Sequence, residues 1–210
     1  NKMEQQSDVT ALVQCSVFTT KHSLETLVIM HNEQFDDLKS RAIEISEGFE
    51  LYKDMIAPND RIIISSRMAE LFFLSNDYSS SIKWINSILN EFAEPDVRAD
   101  MYENIVGLNL IVHFGLDHFS LVNRLCNQLL KRDKSKSALK SWLAELVGHL
   151  LSASSQNKTA SERKEILQDY LNELINKTDD SEGSSDTPFY ERSLRNPHVV
   201  IRWLNKLIIK

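Results

Sequence analysis

Residues 59–92 read NDRIIISSRMAELFFLSNDYSSSIKWINSILNEF, and their pattern decides the fold class. Asn59 and Asp60, just after Pro58, predict the cap of a helix that continues through Leu74. Asn76-Asp77-Tyr78 predicts a short turn. Beyond it, Ile82, Ile85, Ile88, Leu89 and Phe92 recur at the spacing of one helix face, not that of a strand. Glu94-Pro95-Asp96 then closes the pair, because proline cannot continue a helix and suits the first turn of the next. The stretch reads as a helical hairpin.

The same arrangement recurs on both sides. Downstream, Met101, Ile105, Leu108 and Val112 form a stripe, Gly115 to Phe119 a turn, and Leu121, Val122, Leu125, Cys126 and Leu129 the answering stripe. Upstream, a weaker copy places Leu24, Leu27 and Val28 before a turn at Asn32 to Phe35, with Leu38, Ala42 and Ile45 after it. The turn aromatics Phe35, Tyr78 and Phe119 stand 43 and 41 residues apart, a repeat-like period.

A fourth pair is expected beyond Lys131, with Leu139, Trp142, Leu143, Leu146, Val147 and Leu150 on its first helix. After a polar loop from Ser152 to Lys158, Thr159 and Glu162 fit a capping box. The helix it opens carries Ile166, Leu167, Tyr170, Leu171 and Leu174. Residues 178–188 are acidic and small, the composition of a flexible linker. Asn196-Pro197 fits the start of a last helix presenting Val200, Trp203, Leu204 and Leu207. The expected organisation is therefore a helical repeat domain over 1–177, an acidic linker over 178–188 and a capping helix within 189–210.

Ala69 to Leu89 resembles the tetratricopeptide pattern. Ala69 takes its small-residue position, Tyr78 its turn aromatic and Ser81 the small residue where two helices touch, with Ile85 and Ile88 following as inner positions. The period exceeds the standard repeat of roughly 34 residues. The chain also resembles bacterial proteins, common in the Bacteroidetes, with degenerate tetratricopeptide-like repeats. That likeness rests on Asp77-Tyr78 through Asn86, on Asn109-Leu110-Ile111-Val112-His113, on Leu130-Lys131-Arg132 and on Trp203-Leu204 with Lys206. It spans roughly residues 35–135 and the last ten. It implies an all-α superhelix of antiparallel hairpins with a capping helix, and no established chemistry. Lys134-Ser135-Lys136-Ser137 departs from the aromatic continuation usual in that family.

Composition points the same way. Only five glycines and four prolines interrupt 210 residues, few for a β-rich chain. Hydrophobic residues at 42% supply a core, and charged ones at 26% suit the outer faces of amphipathic helices. A net charge of −6 argues against nucleic acid as the main partner, since binding it normally needs a basic field. No apolar run is long enough to span a bilayer. Cys15 and Cys126, far apart and without metal-type spacing, read as buried free thiols in preference to a disulfide. The chain opens on Asn1, so either a longer parent or a processed mature form is expected, and a cytoplasmic location is the working expectation.

Motifs for chemistry are weak. No Glu-x-x-His, His-Glu-x-x-His, Gly-x-Ser-x-Gly or Gly-rich phosphate loop occurs, so neither cofactor nor metal is expected. His22 and Glu25 could share a helix face, and His113 and His118 flank a turn. The carboxylates around Glu33 and Glu44 fall on helix spacings, for proton transfer in a cleft or as a solvated face. Asn157 and Asn176 each begin a glycosylation-type triplet. Basic clusters at Lys131–Lys140 and Arg192–Lys210 flank the acidic linker, which either shields a basic groove or is simply solvated.

The leading functional expectation is a non-catalytic module that binds a protein or peptide along the inner surface of a helical stack. The residues expected nearest that surface are Arg67, Glu70, Asn104 and Asn109, taken from the face that lacks the stripe. Trp84, beside the Ile82/Ile85 stripe, is either a binding anchor or a packing residue. A regulatory domain sensing a ligand or peptide within a longer protein is the alternative, and a helical enzyme the third.

Overall fold

The computed structural model describes residues 2–32, 37–91, 99–136, 141–181 and 198–209. All regular structure among them is helical: α1 (Lys2–Asn32), α2 (Leu38–Tyr52), α3 (Pro58–Leu74), α4 (Tyr78–Glu91), α5 (Ala99–Gly115), α6 (Phe119–Lys136), α7 (Ser141–Ala153), α8 (Ala160–Ser181) and α9 (His198–Ile209). The all-α expectation holds. The chain gathers into two compact units, Asn1–Ile105 and Val106–Lys210, divided inside α5.

In the first unit, α3 is central and packs against α1, α2 and α4. Its residues Met68 to Leu74 are buried without a break, because neighbours cover it on several sides. The expected cap at Asn59 and Asp60 does not form. Pro58 is the first helical residue, preceded by Ala57 in an extended conformation, and Asp60 lies in the first turn. A proline there has no N–H to satisfy, and a carboxylate in that turn complements the helix dipole.

The α3–α4 turn explains why the hairpin closes so tightly. Asn76 takes a left-handed φ of 64°. Its N–H donates to the Phe73 carbonyl (3.0 Å) and the Asp77 N–H donates to the Phe72 carbonyl (2.8 Å), which satisfies the last carbonyls of α3. Asp77 then caps α4, its Oδ1 accepting from the Ser80 N–H at 3.1 Å. Tyr78 starts α4 with its ring 5.6 Å from that of Phe73. Farther along, the Ser81 hydroxyl donates to the Ala69 carbonyl at 2.7 Å, both residues being fully buried where the helices touch.

The inner stripe of α2, from Leu38 through Ala42 and Ile45 to Phe49, is buried as expected. A Cβ at Gly48 would run into the Phe18 ring, so this glycine permits α1 to lie close on α2. The expected stripe of α1 is corrected. Leu24 and Val28 are exposed, and the buried side carries Cys15, His22 and Thr26.

In the second unit, the α5–α6 turn repeats the device seen at Asn76. Asp117, 41 residues later, has φ 59°. Its N–H donates to Phe114 (3.0 Å) and that of His118 to His113 (3.0 Å). Phe119 begins α6 with its ring 5.1 Å from that of Phe114. Gly107 lets the Trp142 ring approach α5, since an added Cβ would stand 3.0 Å from it.

Helix α8 starts as the sequence predicts. The Glu162 N–H donates to Thr159 Oγ1 (3.2 Å), and the Thr159 N–H donates to the Glu162 carboxylate (2.7 Å). That reciprocal pairing holds the Glu162 carboxyl below its usual range. Tyr170 donates its buried hydroxyl to the Trp142 carbonyl at 3.3 Å. Helix α8 continues to Ser181, so the first residues of the expected linker are helical. Helix α9 packs on α8 and buries Val200, Trp203 and Leu204. Phe35, Phe92, Glu94-Pro95-Asp96, Leu139, the linker beyond residue 181 and Asn196-Pro197 lie outside the described residues.

Candidate functional site

An open groove of about 990 Å³ lies between the start of α6 and the loop joining α7 to α8. Its lining is mostly amide and hydroxyl: Ser120, Asn123 and Asn127 on α6, with Ser152, Ser155 and Asn157 opposite. Asn123 and Asn127 lie one turn apart on one face. The Asn123 amide donates to the Ser154 carbonyl at 3.3 Å, and the Asn127 amide donates to the Asn123 carbonyl at 2.8 Å. Ser154 itself is buried, with its Oγ unpaired among the described residues.

Arg163 fixes the end of this groove. Its Nε donates to the Ala153 carbonyl (3.0 Å) and its Nη2 to that of Ser155 (3.4 Å), taking up carbonyls at the end of α7. The guanidinium carbon lies 3.9 Å from the centre of the Phe119 ring, a cation–π contact. Three contacts hold one long side chain still.

A second, more apolar cleft of about 260 Å³ shares Asp117, Phe119 and Arg163 with the groove. Phe114, Leu167, Leu207 and Ile208 line its other walls. The Phe119–Arg163 stack thus stands between an amide-lined surface and an apolar recess. Hydrogen-bonding groups beside an apolar recess are what orients and anchors a bound segment.

None of the five residues expected at a partner surface lies in this groove. Arg67 and Glu70 are brought together at 3.4 Å on α3, and Glu70 is only 4% exposed. Glu70 is therefore internal to the helix packing. Trp84 is half-buried with its ring edge-on to Phe49 of α2, 5.0 Å away. Asn104 and Asn109 are half-buried on α5, each with an Oδ1 that accepts no hydrogen bond among the described residues. The only signal for the groove in the sequence was the polar run from Ser152 to Lys158, which reads as an ordinary loop.

Several titratable groups are drawn into the helix packing. His22 Nδ1–H donates to the Glu25 carboxylate across 3.1 Å, and burial, aided by Lys21, pulls its pKa down. His113 and His118 face each other Nδ1 to Nδ1 at 3.1 Å, so one ring must carry the proton and the other accept it. Burial and then the neighbouring His118 lower the His113 pKa. Both cysteines are free and buried, and burial pushes the Cys126 thiol up to about 12. Among the described residues, no three His, Cys, Asp or Glu side chains gather into a metal-holding group. No described helix is long and apolar enough to cross a membrane. No known protein family, curated protein or solved structure matches this chain.

Proposed function

We propose that this chain is a non-catalytic helical repeat module that binds a segment of protein or peptide. The observation that carries the reading is the amide- and hydroxyl-lined groove beside an apolar cleft, with the Phe119–Arg163 stack between them. Amides donate and accept together, as an extended backbone requires, and the cleft offers a seat for one apolar side chain. Because Arg163 is already fixed by Ala153 and Ser155, binding would cost little side-chain ordering there.

The like-built turns at Asn76 and Asp117 favour the repeat reading, a superhelix of tetratricopeptide-like hairpins of the Bacteroidetes type. Two buried free thiols suit a cytoplasmic setting. The test is selection of binders from a random peptide display library with the full chain. Selected peptides are then measured on a variant carrying Asn127→Ala and Gln156→Arg, both exposed positions. Affinity should fall roughly tenfold or more. Unchanged affinity would remove the groove from the account, and failure to select any binder would remove peptide binding itself.

A further inference from the structure

Helix α1 turns the wrong face outward. Leu12, Val13, Val17, Leu24 and Val28 are 55%, 56%, 61%, 60% and 50% exposed, while Cys15, His22 and Thr26 are buried. At about 100° per residue, Val13, Val17, Thr20, Leu24 and Val28 fall within an arc of about 80°. They form one continuous stripe roughly 22 Å long. A helix that turns valines and leucine to solvent and a histidine to its own core has an apolar face in want of a cover.

Two features of the stripe say what covers it. Its apolar positions are spaced four, seven and four residues apart, which reads the same in both directions. A two-fold axis across the helix between Thr20 and Lys21 therefore sets Val13 against Val28 of another copy, and Val17 against Leu24. The surface also carries almost no charge. Residues 9–20 contain no acid or base, Lys21 reaches Glu44 of its own chain at 3.8 Å, and Glu25 is taken up by His22 and Arg41. Such a face offers little to a charged partner. The bases beside it among the described residues, Lys21 and Arg41, are turned to Glu44 and Glu25 of their own chain and do not form the basic border by which surface helices hold a membrane.

We propose that the outward face of α1 is a self-association surface on which a second copy of this chain pairs antiparallel, Val13 to Val28 and Val17 to Leu24. This is independent of the peptide groove. The stripe amounts to a few hundred Å² per copy, below the roughly 800 Å² of a standard interface, so the dimer is reversible and concentration-dependent.

Analytical ultracentrifugation of the full chain from micromolar to millimolar protein should show monomer giving way to dimer. Val17→Glu with Leu24→Glu should weaken the dimer roughly a hundredfold or more, since pairing would bury carboxylates against apolar side chains. Circular dichroism checks that the fold is kept. For register, Val13→Cys and Val28→Cys chains are mixed and oxidised. The mixed disulfide is expected, because like residues lie roughly 22 Å apart in the antiparallel pair. A chain monomeric at every concentration overturns the proposal, as does a dimer indifferent to the glutamates or a preferred Val13→Cys self-link. A monomer that sediments with phospholipid vesicles through this face overturns it too.

Discussion

Gly48, Gly107 and Gly148 all lie inside helices, and alanine at each should move stability by an amount that the packing sets. The helix backbone prefers alanine to glycine by about 0.8–1 kcal/mol. At Gly148 nothing stands within 4 Å of an added Cβ, so Gly148→Ala should gain about 1 kcal/mol. At Gly107 the Cβ would meet the Trp142 ring at 3.0 Å and Trp203 at 3.5 Å. Overpacking costs about 1–3 kcal/mol, so the net effect should be a loss on the order of 1 kcal/mol. At Gly48 the Phe18 ring must move, giving up its contact with Tyr52 at 5.3 Å. A net loss of about 1–2 kcal/mol is expected there.

The assay is urea unfolding read by thiol labelling. Cys15 and Cys126 are both buried and lie in different units, so each reports its own unit. Gly48→Ala should expose Cys15 at lower urea, and Gly107→Ala should do the same for Cys126. A Gly48→Ala chain as stable as Gly148→Ala would refute the close packing of α1 on α2.

Arg163→Lys should destabilise the second unit by about 1–2 kcal/mol in urea unfolding, because an ammonium cannot reproduce the fork to Ala153 and Ser155. Ser81→Val should cost about 1–3 kcal/mol by the same assay, since it removes the donor to Ala69 and overfills a fully buried contact. Acid should weaken the fold through His22 and His113, whose folded pKa values lie below the ordinary 6.5. Below that pH the unfolded chain binds more protons than the folded one, so stability falls as pH drops through and below 6.5. Thermal melts across that range should show the decline, and His113→Gln should make it shallower.

The hairpins were legible because their stripes recur locally, and Thr159 with Glu162 was legible because a capping box is a four-residue pattern. Which face of a helix is covered is a different kind of fact. On α1 the local pattern marked Leu24 and Val28 as inner, yet Phe18 docks at Gly48 and turns them outward. On α3, Glu70 lacks the stripe's chemistry, yet a helix packed against three neighbours buries it all the same. The groove was illegible for a further reason. Asn123, Ser154 and Arg163 meet only after folding, and each type is common on any helix end or loop.

Amide hydrogen exchange of the full chain, with and without a selected peptide, tests the central claim most directly. The account predicts slowed exchange at Ser152 to Asn157 and in the first turns of α6, the two sides of the groove. Protection confined to Asn1–Ile105, or no protection with peptide bound, would contradict it.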